Sequence, residues 1–84
     1  MPTILFLFGW RFFFYSNENR EPIHIHCQKA EKECKIWLDI TNFDIIPAYE
    51  YNISPSDRRL LRRIIFENFD YIVSEWKKYK RSLK

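Results

Sequence analysis

The chain reads as one small α+β domain, a small antiparallel sheet of four to five strands packed on one long C-terminal amphipathic helix. Three observations predict it. Short runs of β-branched and aromatic residues separated by turn-forming stretches fill the first half, and apolar residues then recur at helical spacing from residue 61 to residue 79. Eighty-four residues also suffice for only one core. Its sixteen aromatic residues (Phe 8, Tyr 5, Trp 3) help to fill that core, because each large ring buries about 150 to 250 Å².

The first run, Thr3-Ile4-Leu5-Phe6-Leu7-Phe8, ends at Gly9, where a tight turn is least strained. Trp10-Arg11-Phe12-Phe13-Phe14-Tyr15 follows, so the two runs form a hairpin whose second strand, apolar on both faces, is central. Ser16 to Glu21 is a polar loop, and Pro22 biases Glu21 towards extended geometry. The next strands run from His24 to Gln28 and from Cys34 to Ile40, joined by the charged turn Lys29 to Glu33. Side chains alternate along a strand, so Ile25, Cys27, Cys34, Ile36, Leu38 and Ile40 form a core face. His24, His26, Lys35, Trp37 and Asp39 take the other. Residues 41 to 53, with Pro47 between apolar residues, read equally as an edge strand or an irregular packed loop.

Ser54-Pro55-Ser56-Asp57 starts a helix, with Ser54 as N-cap, proline in the first turn and a carboxylate after it. Leu61, Ile64, Ile65, Asn68, Phe69, Ile72, Trp76 and Tyr79 then share one side, so a single helix is expected to about Lys80. Asn68, inside that stripe, needs a hydrogen-bond partner if buried. One helix covers one face of a small sheet, and the histidine-bearing face is expected to be exposed.

Charge divides the chain. Residues 1–53 carry net −2 and residues 54–84 net +5. Arg58, Arg59, Arg62 and Arg63 oppose the dipole at the helix start. Arg59, Arg63, Lys77 and Arg81 line up opposite the apolar stripe, where they could meet phosphates or an acidic partner, or form an ordinary solvated face with pairs such as Arg63 to Glu67. The apolar N-terminal run contains Arg11 and falls short of the ~20 apolar residues of a membrane span, and it lacks the features of a signal peptide. A cytoplasmic location is expected. Two cysteines are too few for a disulfide framework.

His24-x-His26 admits three readings. A zinc site with Cys27 and Cys34 fails because the cysteines point to the opposite face, so no metal and no cofactor is expected. As an acid/base pair, with Lys35 stabilising charge on a phosphate and Tyr15 and Trp37 stacking bases, the two histidines would suit a small metal-independent ribonuclease. As structural groups, they would order the Glu21-Pro22 corner by hydrogen bonding.

The ordered set Met1-Pro2-Thr3-Ile4, Arg11-Phe12-Phe13-Phe14-Tyr15-Ser16-Asn17-Glu18, Glu21-Pro22-Ile23-His24-Ile25-His26, Lys35-Ile36-Trp37-Leu38, Glu67-Asn68 and Trp76 resembles the small bacterial family known as domain of unknown function 4160. That family has no established activity. The resemblance implies His24, His26, Lys35, Trp37, Glu67 and Asn68 as signature residues, and a small partner protein encoded by a neighbouring gene, as in toxin–antitoxin modules. The family usually has a glycine in the turn after the histidines, where this chain has Lys29-Ala30-Glu31. The expectation is therefore a toxin–antitoxin-like component that binds a small protein, and RNA as a further ligand, through the His/Lys/Trp face, with Tyr15, Arg59 and Arg63 among the binding residues. The alternatives are the ribonuclease and a structural homo-oligomer that uses the same face.

Overall fold

The structure, a computed structural model, describes residues 3–15 and 21–82, with side chains to residue 80. The expected loop at 16–20, the opening Met1-Pro2 and the side chain of Arg81 lie outside these residues. Five strands, β1 (Thr3–Leu7), β2 (Trp10–Phe13), β3 (His24–Lys29), β4 (Lys32–Asp39) and β5 (Asp44–Tyr51), are followed by helices α1 (Pro55–Glu67) and α2 (Phe69–Ser82). The strands form one antiparallel sheet in sequential order, β1-β2-β3-β4-β5. β2 is interior, as its two apolar faces require.

Turn chemistry sets the register. Leu7 pairs with Trp10 across Phe8-Gly9, and both turn residues are left-handed, with φ of 53° and 81°. That twist matches the twist of the strands it joins. Lys29 pairs with Lys32 across Ala30-Glu31, and Ala30 takes φ 52°. Ala30 thus holds a left-handed conformation that costs an L side chain about 1 kcal/mol. Residues 44–51 form an edge strand, the place in a sheet where a proline such as Pro47 is tolerated, and the register shifts at Lys35/Ile36 beside it.

Both helices pack on one face. There Trp10, Phe12, Ile25, Cys27, Cys34, Ile36, Leu38 and Ile45 meet Leu61, Ile64, Ile65, Phe69, Ile72 and Trp76 in one buried core. Ile40 departs from the expected core set, because β4 ends at Asp39 and the side chain is 51% exposed in the following turn. Burial and a hydrogen bond to Cys34 raise the pKa of the Cys27 thiol, so Cys27 serves as protonated packing.

The helix begins as expected, with a capping box in which Asp57 N–H donates to Ser54 Oγ and Ser54 N–H donates to the Asp57 carboxylate. It does not run unbroken to Lys80. Asn68 Nδ2 donates to the Ile64 carbonyl at 2.8 Å, the same oxygen that accepts the Asn68 amide at 3.1 Å, and the backbone leaves helical geometry at φ −115°, ψ 20°. A side chain competing for its own helix's carbonyl breaks the helix locally. The chain resumes at once, with Ile72 N–H donating to Asn68 O. The polar residue inside the apolar stripe is thus satisfied, and it divides the helix in two. Arg58 is likewise accounted for: its guanidinium grips Glu50 of β5 at 2.8 and 2.9 Å, tying the edge strand to α1.

Candidate functional site

The face of the sheet away from the helices is built in rows of directly paired residues. Phe13, His26, Lys35 and Tyr49 form one row, and His24, Trp37 and Ile46 the next. Pairing across neighbouring strands holds these side chains within contact range. Four of the sequence-derived site residues, His24, His26, Lys35 and Trp37, therefore come together here, and Tyr15 joins them from the end of β2.

Their geometry is that of a closed cluster. His26 stacks on Phe13 (centroids 5.5 Å) and meets Tyr15 edge-on at 4.4 Å. His24 meets His26, Trp37 and Trp76 edge-on at 5.2, 5.3 and 5.0 Å. Trp76 belongs to α2, so His24 marks the end of the sheet where the helical layer reaches round to the outer face. Both imidazoles are buried, at 0% and 2% exposure, which corrects the expectation of an exposed histidine face. Among the described residues, the large rings of Phe13, Tyr15, Trp37 and Trp76 flank the imidazoles and contribute to that burial.

Polar contacts hold the cluster in place. His24 Nδ1 lies 2.8 Å from the Pro22 carbonyl, which can only accept, so Nδ1 carries a proton and donates it there. Glu21 Oε2 lies 3.7 Å from His24 Nε2 and 2.8 Å from Lys35 Nζ, and Glu21 Oε1 takes the same ammonium at 2.9 Å. Lys35 Nζ also sits 4.5 Å from the centre of the Trp37 ring, a cation–π contact. Glu21, Phe13 and Trp76 were not identified as site residues from sequence. Glu21 was legible in principle, as the acid immediately before the proline of Glu-Pro-x-His-x-His, whereas nothing local in the sequence points to Trp76.

The remaining sequence-derived residues lie elsewhere. Arg59 and Arg63 are exposed on α1, in the opposite layer, and Arg63 Nε pairs with Glu67 at 3.5 Å. Asn68 is the helix break. Lys77 lies on α2, beyond that break. Among the described residues no group of three or more His, Cys, Asp or Glu side chains is placed to hold a metal ion.

Beside the closed cluster the same face opens. Ile46 is 52% exposed, Tyr49 44% and Tyr51 62%, and Trp37 is half-buried among them. Tyr49 donates to Glu33 at 3.1 Å, and burial together with that carboxylate raises its phenol pKa well above the ordinary 10, keeping the hydroxyl a donor. Among the described residues no strand or helix covers this band.

A sequential antiparallel sheet with two helices on one face and a histidine–aromatic cluster on the other defines a small α+β domain. Residues 9–77 match the model of the family described as domain of unknown function DUF4160, and the chain belongs to that family. No curated protein and no solved structure matches it. Among the described residues no helix is long and apolar enough to cross a membrane.

Proposed function

We propose that the protein is a binding component of a toxin–antitoxin-like pair, docking a small partner protein, encoded by a neighbouring gene, on the open part of its outer sheet face. One observation carries this reading. Trp37, Ile46, Tyr49 and Tyr51 form a contiguous apolar and aromatic band on a sheet face that no strand or helix covers among the described residues. Such patches on a small domain mark interaction sites, and Tyr and Trp are the residue types that anchor them. The closed cluster supports the reading indirectly, because it gives the band a rigid floor through Lys35 and Trp37.

A protein suits this face better than RNA. Lys35 is already paired with Glu21, and Glu33, Asp39 and Asp44 belong to the same face. Phosphates would meet net negative charge there. The exposed arginines of α1 stand in the other layer. The acid/base reading of His24 and His26 gains nothing from rings with 0% and 2% exposure, to which a phosphodiester has little access. The test is co-purification and titration with the neighbouring gene's product. Ile46→Lys combined with Tyr51→Lys should weaken binding about 30-fold or more, the loss of ~2 kcal/mol expected of central anchors. Arg59→Ala combined with Arg63→Ala should leave it unchanged. Equal affinity of the Ile46/Tyr51 variant and the unmodified protein would contradict the proposal.

A further inference from the structure

The side of α1 turned away from the core carries Arg59, Arg62 and Arg63, in a stretch that holds four arginines and no lysine between residues 58 and 63. All three are exposed. Arg58 is committed to Glu50, and Arg63 shares an exposed pair with Glu67 at 3.5 Å, a contact worth little in water. Arg59 and Arg62 meet no carboxylate among the described residues, and the Arg62 guanidinium lies instead 5.0 Å from the centre of the Phe66 ring. Arg59 and Arg63 are also i,i+4 neighbours of like charge, a placement that weakens a helix and that a shared anion relieves.

The stripe adjoins an aromatic platform. Phe43, in the turn between β4 and β5, meets Phe66 at 5.5 Å and Phe69 at 4.6 Å yet stays 55% exposed. Its backbone is left-handed, with φ 50°, a conformation that a bulky side chain rarely takes and that marks a site where presentation of the ring matters more than local comfort. We infer that this surface binds single-stranded nucleic acid, with phosphates on Arg59, Arg62 and Arg63 and an unpaired base stacked on Phe43. Guanidinium forks match phosphate oxygens two at a time, and a held ring beside a cationic track is the arrangement that takes successive bases whatever their sequence. The inference does not rest on the partner-binding reading, because the stripe belongs to the helical layer and the aromatic band to the outer sheet face.

The test titrates the whole chain at low salt, by fluorescence anisotropy, against labelled oligouridylate and oligothymidylate, with inorganic polyphosphate and polyglutamate as competitors. Both oligonucleotides should bind, since phosphates and base faces are common to them. The competitors lack bases and should displace them at least fivefold more weakly than unlabelled oligouridylate does. Three phosphate contacts on a single strand give a slope of about −2 in log affinity against log salt, and Arg59→Ala with Arg62→Ala should reduce it to about −0.7 and weaken binding at least tenfold. Phe43→Leu, which keeps an apolar side chain against Phe66 and Phe69, should weaken binding at least fivefold and leave the slope unaltered. Ile46→Ser with Tyr51→Ser should change nothing, so that the stripe and the aromatic band are tested separately. Failure of either oligonucleotide to bind, displacement by polyphosphate or polyglutamate as effective as by oligouridylate, or unchanged affinity of the arginine or Phe43 variant would each overturn the inference.

Discussion

The two halves of the outer sheet face are made of similar residues and behave differently. On the β2–β3 side, Phe13, Tyr15, His24 and His26 interlock until the imidazoles are lost to solvent, whereas on the β4–β5 side Ile46, Tyr49 and Tyr51 stay exposed. The difference lies in neighbours. An interior strand has a ring-bearing strand on both sides, and His24 also meets Trp76 from the helical layer. β5 is the edge of the sheet, with no further strand beyond it among the described residues. Residue type sets what a position can do, and place in the sheet decides whether it supports the fold or meets a partner.

The comparison is tested most severely by truncation on each side. His24→Ala should cost about 3 kcal/mol in denaturant unfolding, since it removes a fully buried ring with its hydrogen bond to Pro22. Tyr51→Ala should cost less than about 0.5 kcal/mol. Equal costs would show that both halves are structural. A smaller effect is expected from the polar brace. Glu21→Ala removes both Glu21 contacts to the Lys35 ammonium, whose side chain is 12% exposed, and should cost about 1 to 2 kcal/mol. Adding Lys35→Met should restore part of that loss, and a strictly additive double-mutant cycle would mean that the pair is not coupled.

Ala30→Gly should stabilise the domain by about 0.5 to 1 kcal/mol, because glycine holds φ 52° without the Cβ penalty while loosening the unfolded chain slightly. A lower midpoint in thermal unfolding would contradict the strain assigned to that turn. The smallest effect concerns acid. Arg58 holds Glu50 below its ordinary 4.5, and Lys32 with the Ser54 amide holds Asp57 below its ordinary 3.8. Both carboxylates are more acidic folded than unfolded. Their contribution is therefore fully present above those ordinary values and is lost as pH falls below them through the folded values. Glu50→Gln should flatten the acid limb of the stability profile, and an unchanged limb would remove Glu50 from the account.

Much of this architecture was legible in the sequence. Period-two alternation placed Ile25, Cys27, Cys34, Ile36 and Leu38 on the core face and His24, His26, Lys35 and Trp37 opposite, and Ser54-Pro55-Ser56-Asp57 marked the helix start. Local patterns could not give the rest. The helix break depends on which carbonyl the Asn68 side chain captures, and helical periodicity continues across it. Ile40 keeps the alternation of β4 after the strand has ended, so pattern alone placed it in the core. Burial of the histidines depends on Phe13, Tyr15 and Trp76, the last of them 52 positions beyond His24. The family resemblance drew the signature residues together, yet Glu67 and Asn68 are on the helices, away from the histidine cluster.

The central claim is that the aromatic band is a docking surface, and the most direct measurement is hydroxyl-radical footprinting of the protein alone and in complex with the neighbouring gene's product. The account predicts protection of Trp37, Ile46, Tyr49 and Tyr51, with no change at Phe8 and Tyr71, which are 70% and 44% exposed away from the band. Protection of Phe8 and Tyr71 with the band still reactive would contradict it.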